Sequence, residues 1–287
     1  MPNSLYHYTD INAVRGLLEH KKLWLTGHEF LNDEHEFIDG YNMLQQDIEQ
    51  HLVNINANST QRAQVGVILQ YLNDTLALSC SFSKSPDMLS QWRSYCPQEG
   101  GYCIEFDDDI LRSSVINPGI QPVRTFEECI YDQSEKARQS QLHAEHCING
   151  LFQNHSSNAD RIYQTYLSFL HFCLRCKNEH FLEEQEVRLC TYSNSNRHNT
   201  NIVQVGSGGT THTTPIFVND PLRFRTSKNL LIPYLELPFD IRAIKSITIG
   251  PNKNMDTALQ GLELYLREQR LAGQIIVNKS KIPYRNW

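Results

Sequence analysis

The chain has 287 residues, 40% of them hydrophobic and 20% charged, with a formal net charge of -6. That balance allows a sizeable core and argues against a protein held to nucleic acid by bulk charge, although a local basic groove stays open. No run approaches the ~20 apolar residues of a membrane helix, and the first residues lack the basic start and apolar core of an export signal, so the chain reads as cytoplasmic with no membrane partner.

In chain order, SLYHYTD (4–10) carries apolar Leu5 and aromatic Tyr6 and Tyr8, which favour a first strand with one wet face over a fraying tail. Ile11, Val14, Leu17 and Leu18 repeat with helical spacing, and KLWLT then reads as a strand. Residues 36 to 76 hold two helices, LALSCSFSK (76–84) alternates as a strand does, QWRSYC reads as a helix, and GYCIEFD as a strand. Residues 133 to 182, polar at first and then aromatic and apolar in RIYQTYLSFLHFCLRC, form a helical insertion or layer. EQEVRLCTY (184–192) returns to strand pattern, and the Asn-, Ser- and Gly-rich stretch about 193–215 is a flexible loop. LLIPYLELP, IKSITIGPN, MDTALQGLELYLREQR and QIIVNKSKIPYR then read as strand, strand, helix, strand. No repeat or linker divides the chain, so the expectation is one α+β domain over 1–287.

Eight cysteines (Cys80, Cys96, Cys103, Cys129, Cys147, Cys173, Cys176 and Cys190) are spread irregularly, the pattern of reduced, mostly buried thiols. Cys173 and Cys176, near His171 and His180, have the spacing of a zinc half-site. A structural site needs a second pair of ligands, and none is visible, so the pair reads as helix packing. No G-x-G-x-x-G follows a strand, which leaves a doubly wound dinucleotide-binding fold without support; GSGGT (206–210) sits in a loop region.

Three stretches stand out. His7 lies in LYHYT; Ser79, Ser81 and Ser83 alternate along one strand face; Glu184, Glu186 and Arg188 alternate along another. Each alone has an ordinary explanation: a satisfied strand histidine, a wet serine face, a solvated charge run. In this order, histidine strand, serine strand and late glutamate strand, they resemble the ADP-ribosyltransferase superfamily of the histidine type. The longer series LYHYT, LNDEHEF (31–37), SFSKSPDMLSQWRSYCPQEGGYCIEF (81–106), EQEVR, ITIGPN (247–252) and SKIPYR (280–285) is similar to domain-of-unknown-function family 2971 and covers nearly the whole chain.

The resemblance implies a split antiparallel or mixed β-sheet with flanking helices that grips NAD as substrate, and an enzyme that transfers ADP-ribose to a protein or nucleic acid. A toxin or phage-defence setting fits, with an inhibitor or antitoxin as partner. It implies Glu186 as the carboxylate that stabilises the cationic ribose, and Glu184 as the group that orients the acceptor, with the assignment between them open. His7, helped by Thr9, would hold the adenosine ribose. Ser81 and Ser83 would support the glutamate, and Tyr8, Trp92 and Tyr95 would stack on nicotinamide. The middle tyrosine of the superfamily's signature is Tyr95 or Tyr102.

Arg93 and Arg188 suit the pyrophosphate, or else pair with Glu184 or Asp87. Asn32 or Asp33 is a helix cap, and with Glu36 the stretch borders the site. Trp92 is equally well explained by core packing. Strand alternation would turn His7 toward the cleft and Tyr6 and Tyr8 away from it. An NAD glycohydrolase and a non-catalytic nucleotide-binding module of the same fold are the competing classes.

Overall fold

The computed structural model describes residues 4–31, 36–97, 99–116, 123–153, 158–193, 221–227 and 229–284. Asn32, Asp33, GSGGT and nearly all of the loop expected at 193–215 lie outside the described residues, as does the side chain of Glu36. The elements run β1 (Ser4–Thr9), α1 (Ile11–His20), β2 (Lys22–Gly27), α2 (Glu36–Asn54), α3 (Ser59–Asp74), β3 (Leu76–Ser83), α4 (Leu89–Tyr95) and β4 (Tyr102–Asp107). They continue as α5 (Asp108–Val115), β5 (Thr125–Glu128), α6 (Gln133–Leu151), α7 (Asn158–Arg175), β6 (Glu186–Ser193), β7 (Arg223–Ser227), β8 (Leu230–Pro238), β9 (Ile244–Ile249), α8 (Met255–Glu268) and β10 (Ile276–Lys279). The short elements α5, β5 and β7 were not foreseen from the sequence.

Local chemistry sets several boundaries. Asp10 caps α1 by accepting from the Ala13 amide, and Lys21 closes the helix in the left-handed region with φ 53°. Asn58 and Gln61 form a reciprocal capping box at α3, and Asp132 caps α6 through the Glu135 amide. Among the described residues no helix is long and apolar enough to cross a membrane.

The strands form one mixed α+β sheet in the order β10-β9-β4-β1-β3-β2-β8-β7, with β6 on β3 and β5 on β6. Strand β3 organises it. One edge pairs with β6 along its whole length, from Leu76↔Ser193 to Ser83↔Glu186. Its other edge is shared: β2 pairs near the start, Thr26↔Ser79 and Gly27↔Leu78, and β1 pairs at the end, Tyr6↔Ser83. Two strands on one edge must diverge, so the sheet splits into a β1–β4–β9–β10 wing and a β2–β8–β7 wing.

Alternation of side chains gives each face its own core. On one face α1, α5 and α8 cover Leu5, Leu78, Phe82, Ile104, Val187 and Ile247. On the other, α2, α3, α6 and α7 cover Ala77, Cys190 and Tyr192. Cys173 and Cys176 belong to this second core, as the helix-packing reading required, and all eight cysteines are unpaired. A smaller cluster, Tyr8, Trp92 and Cys103 with Tyr6, Met88, Tyr95 and Ile282, lies under α4. Gly250 allows this packing: a Cβ there would meet the Trp92 ring at 2.7 Å.

Candidate functional site: a buried glutamate–lysine–arginine cluster

Strand β6 is buried at every position from Glu186 to Ser193, so the charged residues at its start are enclosed together with their partners. Glu186 and Arg188 project on the face of Tyr192 and Cys190, toward α6 and α7. Arg188 grips Glu186 with two bonds, Nε to Oε1 at 2.7 Å and Nη2 to Oε2 at 2.9 Å, while Nη1 donates to the Leu174 carbonyl at 3.0 Å. Lys177 comes from the turn after α7 and donates to both glutamates, reaching Glu184 at 2.5 Å and also bonding Glu186. The Tyr95 hydroxyl donates to Glu184 Oε1 at 2.8 Å. The Glu186 amide donates to the Tyr131 hydroxyl at 2.8 Å, and Ser83 Oγ donates to the Glu184 carbonyl at 2.8 Å.

Relative exposures of 6% for Glu184, 4% for Glu186, 4% for Lys177 and 2% for Arg188 place all four away from bulk water. Two carboxylates and two cations balance, which is the condition for burying them at all. Burial by itself would raise the Glu186 pKa; the Arg188 guanidinium and the Lys177 ammonium outweigh it and hold the carboxyl well below its ordinary range. Burial, with the Glu184 carboxylate, pushes the Tyr95 hydroxyl up against the opposing pull of Lys177, so it stays a donor. Lys136, buried in α6, donates to the Lys177 carbonyl at 3.1 Å and ties the cluster to the helical layer.

The E-x-E spacing does not act as strand alternation. Glu184 ends a 3-10 turn, Glu179–Glu184, and Gln185 follows in the left-handed region with φ 44°. That kink, not a shared strand face, brings the two carboxylates onto one lysine. Ser79, Ser81 and Ser83 do share the face of Glu186, with Ser81 opposite Arg188 and Ser83 opposite Glu186.

His7 departs from expectation. It pairs with Ile104, and its ring lies 5.7 Å from that of Phe82, so it faces the α1–α5–α8 core, away from the glutamates. There it sits where β1 and β2 diverge, with Nδ1 2.8 Å from the Ser81 carbonyl. Burial lowers its pKa, partly offset by that bond, in which Nδ1 donates to the carbonyl. Thr9 shares the His7 face and accepts from the Cys96 thiol at 3.5 Å through its carbonyl. Tyr6 and Tyr8, expected to point away, lie on the glutamate face instead.

Tyr8 and Trp92 pack edge to face at 4.8 Å and are both buried, so neither offers a free stacking surface. Tyr8 donates to the Ser85 carbonyl, and Trp92 Nε1 donates to Asp87 at 2.9 Å. Asp87 also accepts from Ser280 Oγ and from the Lys281 amide, which fastens the 280–284 segment over α4. Arg93 stacks on Tyr284 at 4.9 Å and is apart from the cluster. Of the two tyrosines in competition, Tyr95 reaches a glutamate; Tyr102 lies with the first core. Sequence reading missed Lys177, Lys136 and Tyr131.

Residues 91–189, from α4 into β6, match a family described as "Protein of unknown function (DUF2971)". The matched segment contains Tyr95, Tyr131, Lys177 and both glutamates, and it supports the resemblance to that family without naming an activity. No curated protein and no solved structure matches the chain.

Proposed function

We propose that the chain is an NAD-dependent ADP-ribosyltransferase acting on a protein or nucleic-acid acceptor. The observation that carries this reading is the position of the carboxylate pair, held at the end of the serine strand where the sheet splits. Breaking the bond from ribose C1′ to nicotinamide releases neutral nicotinamide and leaves positive charge on the sugar, which an ionised carboxylate stabilises. The acceptor nucleophile then bonds to C1′ and gives up its proton.

The division of roles we propose differs from the superfamily pattern. Glu186 takes three charge-assisted bonds from Arg188 and Lys177, which fits a fixed counter-ion. Glu184 shares only Lys177 and has its other oxygen on Tyr95; it is the group that turns to the ribose. The full pairing and burial of both carboxylates favours a second reading, a non-catalytic module of the same fold. Nicotinamide release from NAD separates the two. On the first reading the wild type releases nicotinamide and Glu184→Gln loses on the order of 100-fold in rate. A wild type without release, in the presence of lysate and nucleic acid as acceptors, leaves the second reading.

A further inference from the structure

A row of side chains crosses five strands on the glutamate face. Register pairs Glu186 with Ser83, Ser83 with Tyr6, Tyr6 with Glu105, and Glu105 with Ser246. Directly paired residues point the same way, so all five share one face over four strand spacings, about 19 Å. The two ends are closed, Glu186 and Ser246 being 4% exposed each, while Tyr6 and Glu105 between them are half-buried and reach solvent in part.

Glu105 is set up as a fixed acceptor. Ser4 Oγ donates to Oε1 at 2.8 Å, Ser246 Oγ donates to Oε2 at 2.6 Å, and Lys245 Nζ lies 3.4 Å from Oε1. A carboxylate offers about four lone-pair sites, so one remains for an incoming hydroxyl. Lys245 also donates to Ser4 Oγ at 3.0 Å, which leaves one of its three N–H donors for an anion. Half-buried Tyr6 stands between this pair and Ser83 in the row. An acceptor for a sugar hydroxyl beside a donor for an anion, next to an aromatic ring, matches a ribose phosphate.

We infer that Glu105, Tyr6 and Lys245 form a subsite for the ribose phosphate of a nucleotide, laid across β1, β4 and β9 toward Glu184. The inference rests on the proposed function for the identity of the nucleotide, and it replaces His7 with Tyr6 as the first-strand residue facing the ligand.

ADP-ribose, which has no nicotinamide bond to break, tests the subsite separately from turnover. Calorimetric titration of ADP-ribose and of adenosine into wild type, Glu105→Gln, Tyr6→Phe, Lys245→Met and His7→Ala is the experiment, with thermal melts as a check on folding. Expected are losses of about tenfold in ADP-ribose affinity for the first three variants, one lost hydrogen bond each, and no loss for His7→Ala. Lys245→Met should leave adenosine affinity unchanged. Folded Tyr6→Phe and Lys245→Met keep the test valid should Glu105→Gln melt early. Absence of ADP-ribose binding by wild type, or wild-type affinity in folded Glu105→Gln, Tyr6→Phe and Lys245→Met, overturns the subsite. Binding through these residues without nicotinamide release keeps the subsite and removes the transferase reading; release with the variants binding normally does the reverse.

Discussion

Replacing Lys177 with Met removes the ammonium that Glu184 and Glu186 share and keeps most of the side chain's volume. The Lys177 side chain is 4% exposed and those of the glutamates 8% and 3%, so water cannot take over its role. What is left is one guanidinium for two buried carboxylates, an uncompensated charge of the kind that costs about 3–5 kcal/mol. A chain of 287 residues has an unfolding entropy of about 0.6 kcal/mol/K, so the expected fall in melting temperature is about 5–8 °C. Adding Glu184→Gln restores the charge balance and should return a large part of that loss, giving a coupling energy above ~1 kcal/mol in a double-mutant cycle. Thermal and urea unfolding of the four proteins at neutral pH measure it. A Lys177→Met protein that melts within about 2 °C of wild type, or a double variant less stable by the sum of the singles, refutes the charge-balance argument.

Stability should fall on mild acidification, because burial lowers the pKa of His7 and, with Arg175 and His171 nearby, that of His143. Well above pH 6.5 the rings are neutral in both states; as pH falls through about 6.5 the unfolded chain takes up protons first, so melting temperature drops from pH 7.5 to 5.5, and His143→Phe should flatten that slope. Asp87→Ala strands the Trp92 indole, Ser280 and the Lys281 amide, and should raise hydrogen exchange at 280–282 together with a stability loss of about 1–3 kcal/mol; unchanged exchange there contradicts the fastening role. Gly101→Ala places a Cβ 2.2 Å from the Cys96 side chain, an overlap that should cost about 1–3 kcal/mol in urea unfolding, and a neutral result would mean that the loop after α4 shifts freely.

Strand and helix periodicity exposed most of the architecture, because long amphipathic helices such as α7 and alternating strands such as β3 carry their burial pattern in the chain itself. The pairing of both β1 and β2 with one edge of β3 could not be read from periodicity, since pairing between distant strands leaves no local trace. Alternation correctly put Ser79, Ser81 and Ser83 on one face. It could not say which face the first strand would turn: one residue of phase decides between His7 and Tyr6, and Leu5, paired with Phe106 in the first core, takes His7 with it. Glu184 was misplaced for a related reason, as a left-handed Gln185 breaks a pattern that looks continuous in sequence. Lys177 was invisible because a cation drawn in by two distant carboxylates reads in sequence like any lysine at a helix end.

The most direct test of the account is nicotinamide release from NAD, followed in parallel for wild type, Glu184→Gln and Glu186→Gln with acceptor fractions supplied. The proposed function predicts release by wild type, a loss on the order of 100-fold for Glu184→Gln with ADP-ribose affinity kept, and label from the ADP-ribose half appearing on a macromolecule. Release unchanged in Glu184→Gln, or no release by folded wild type, contradicts it.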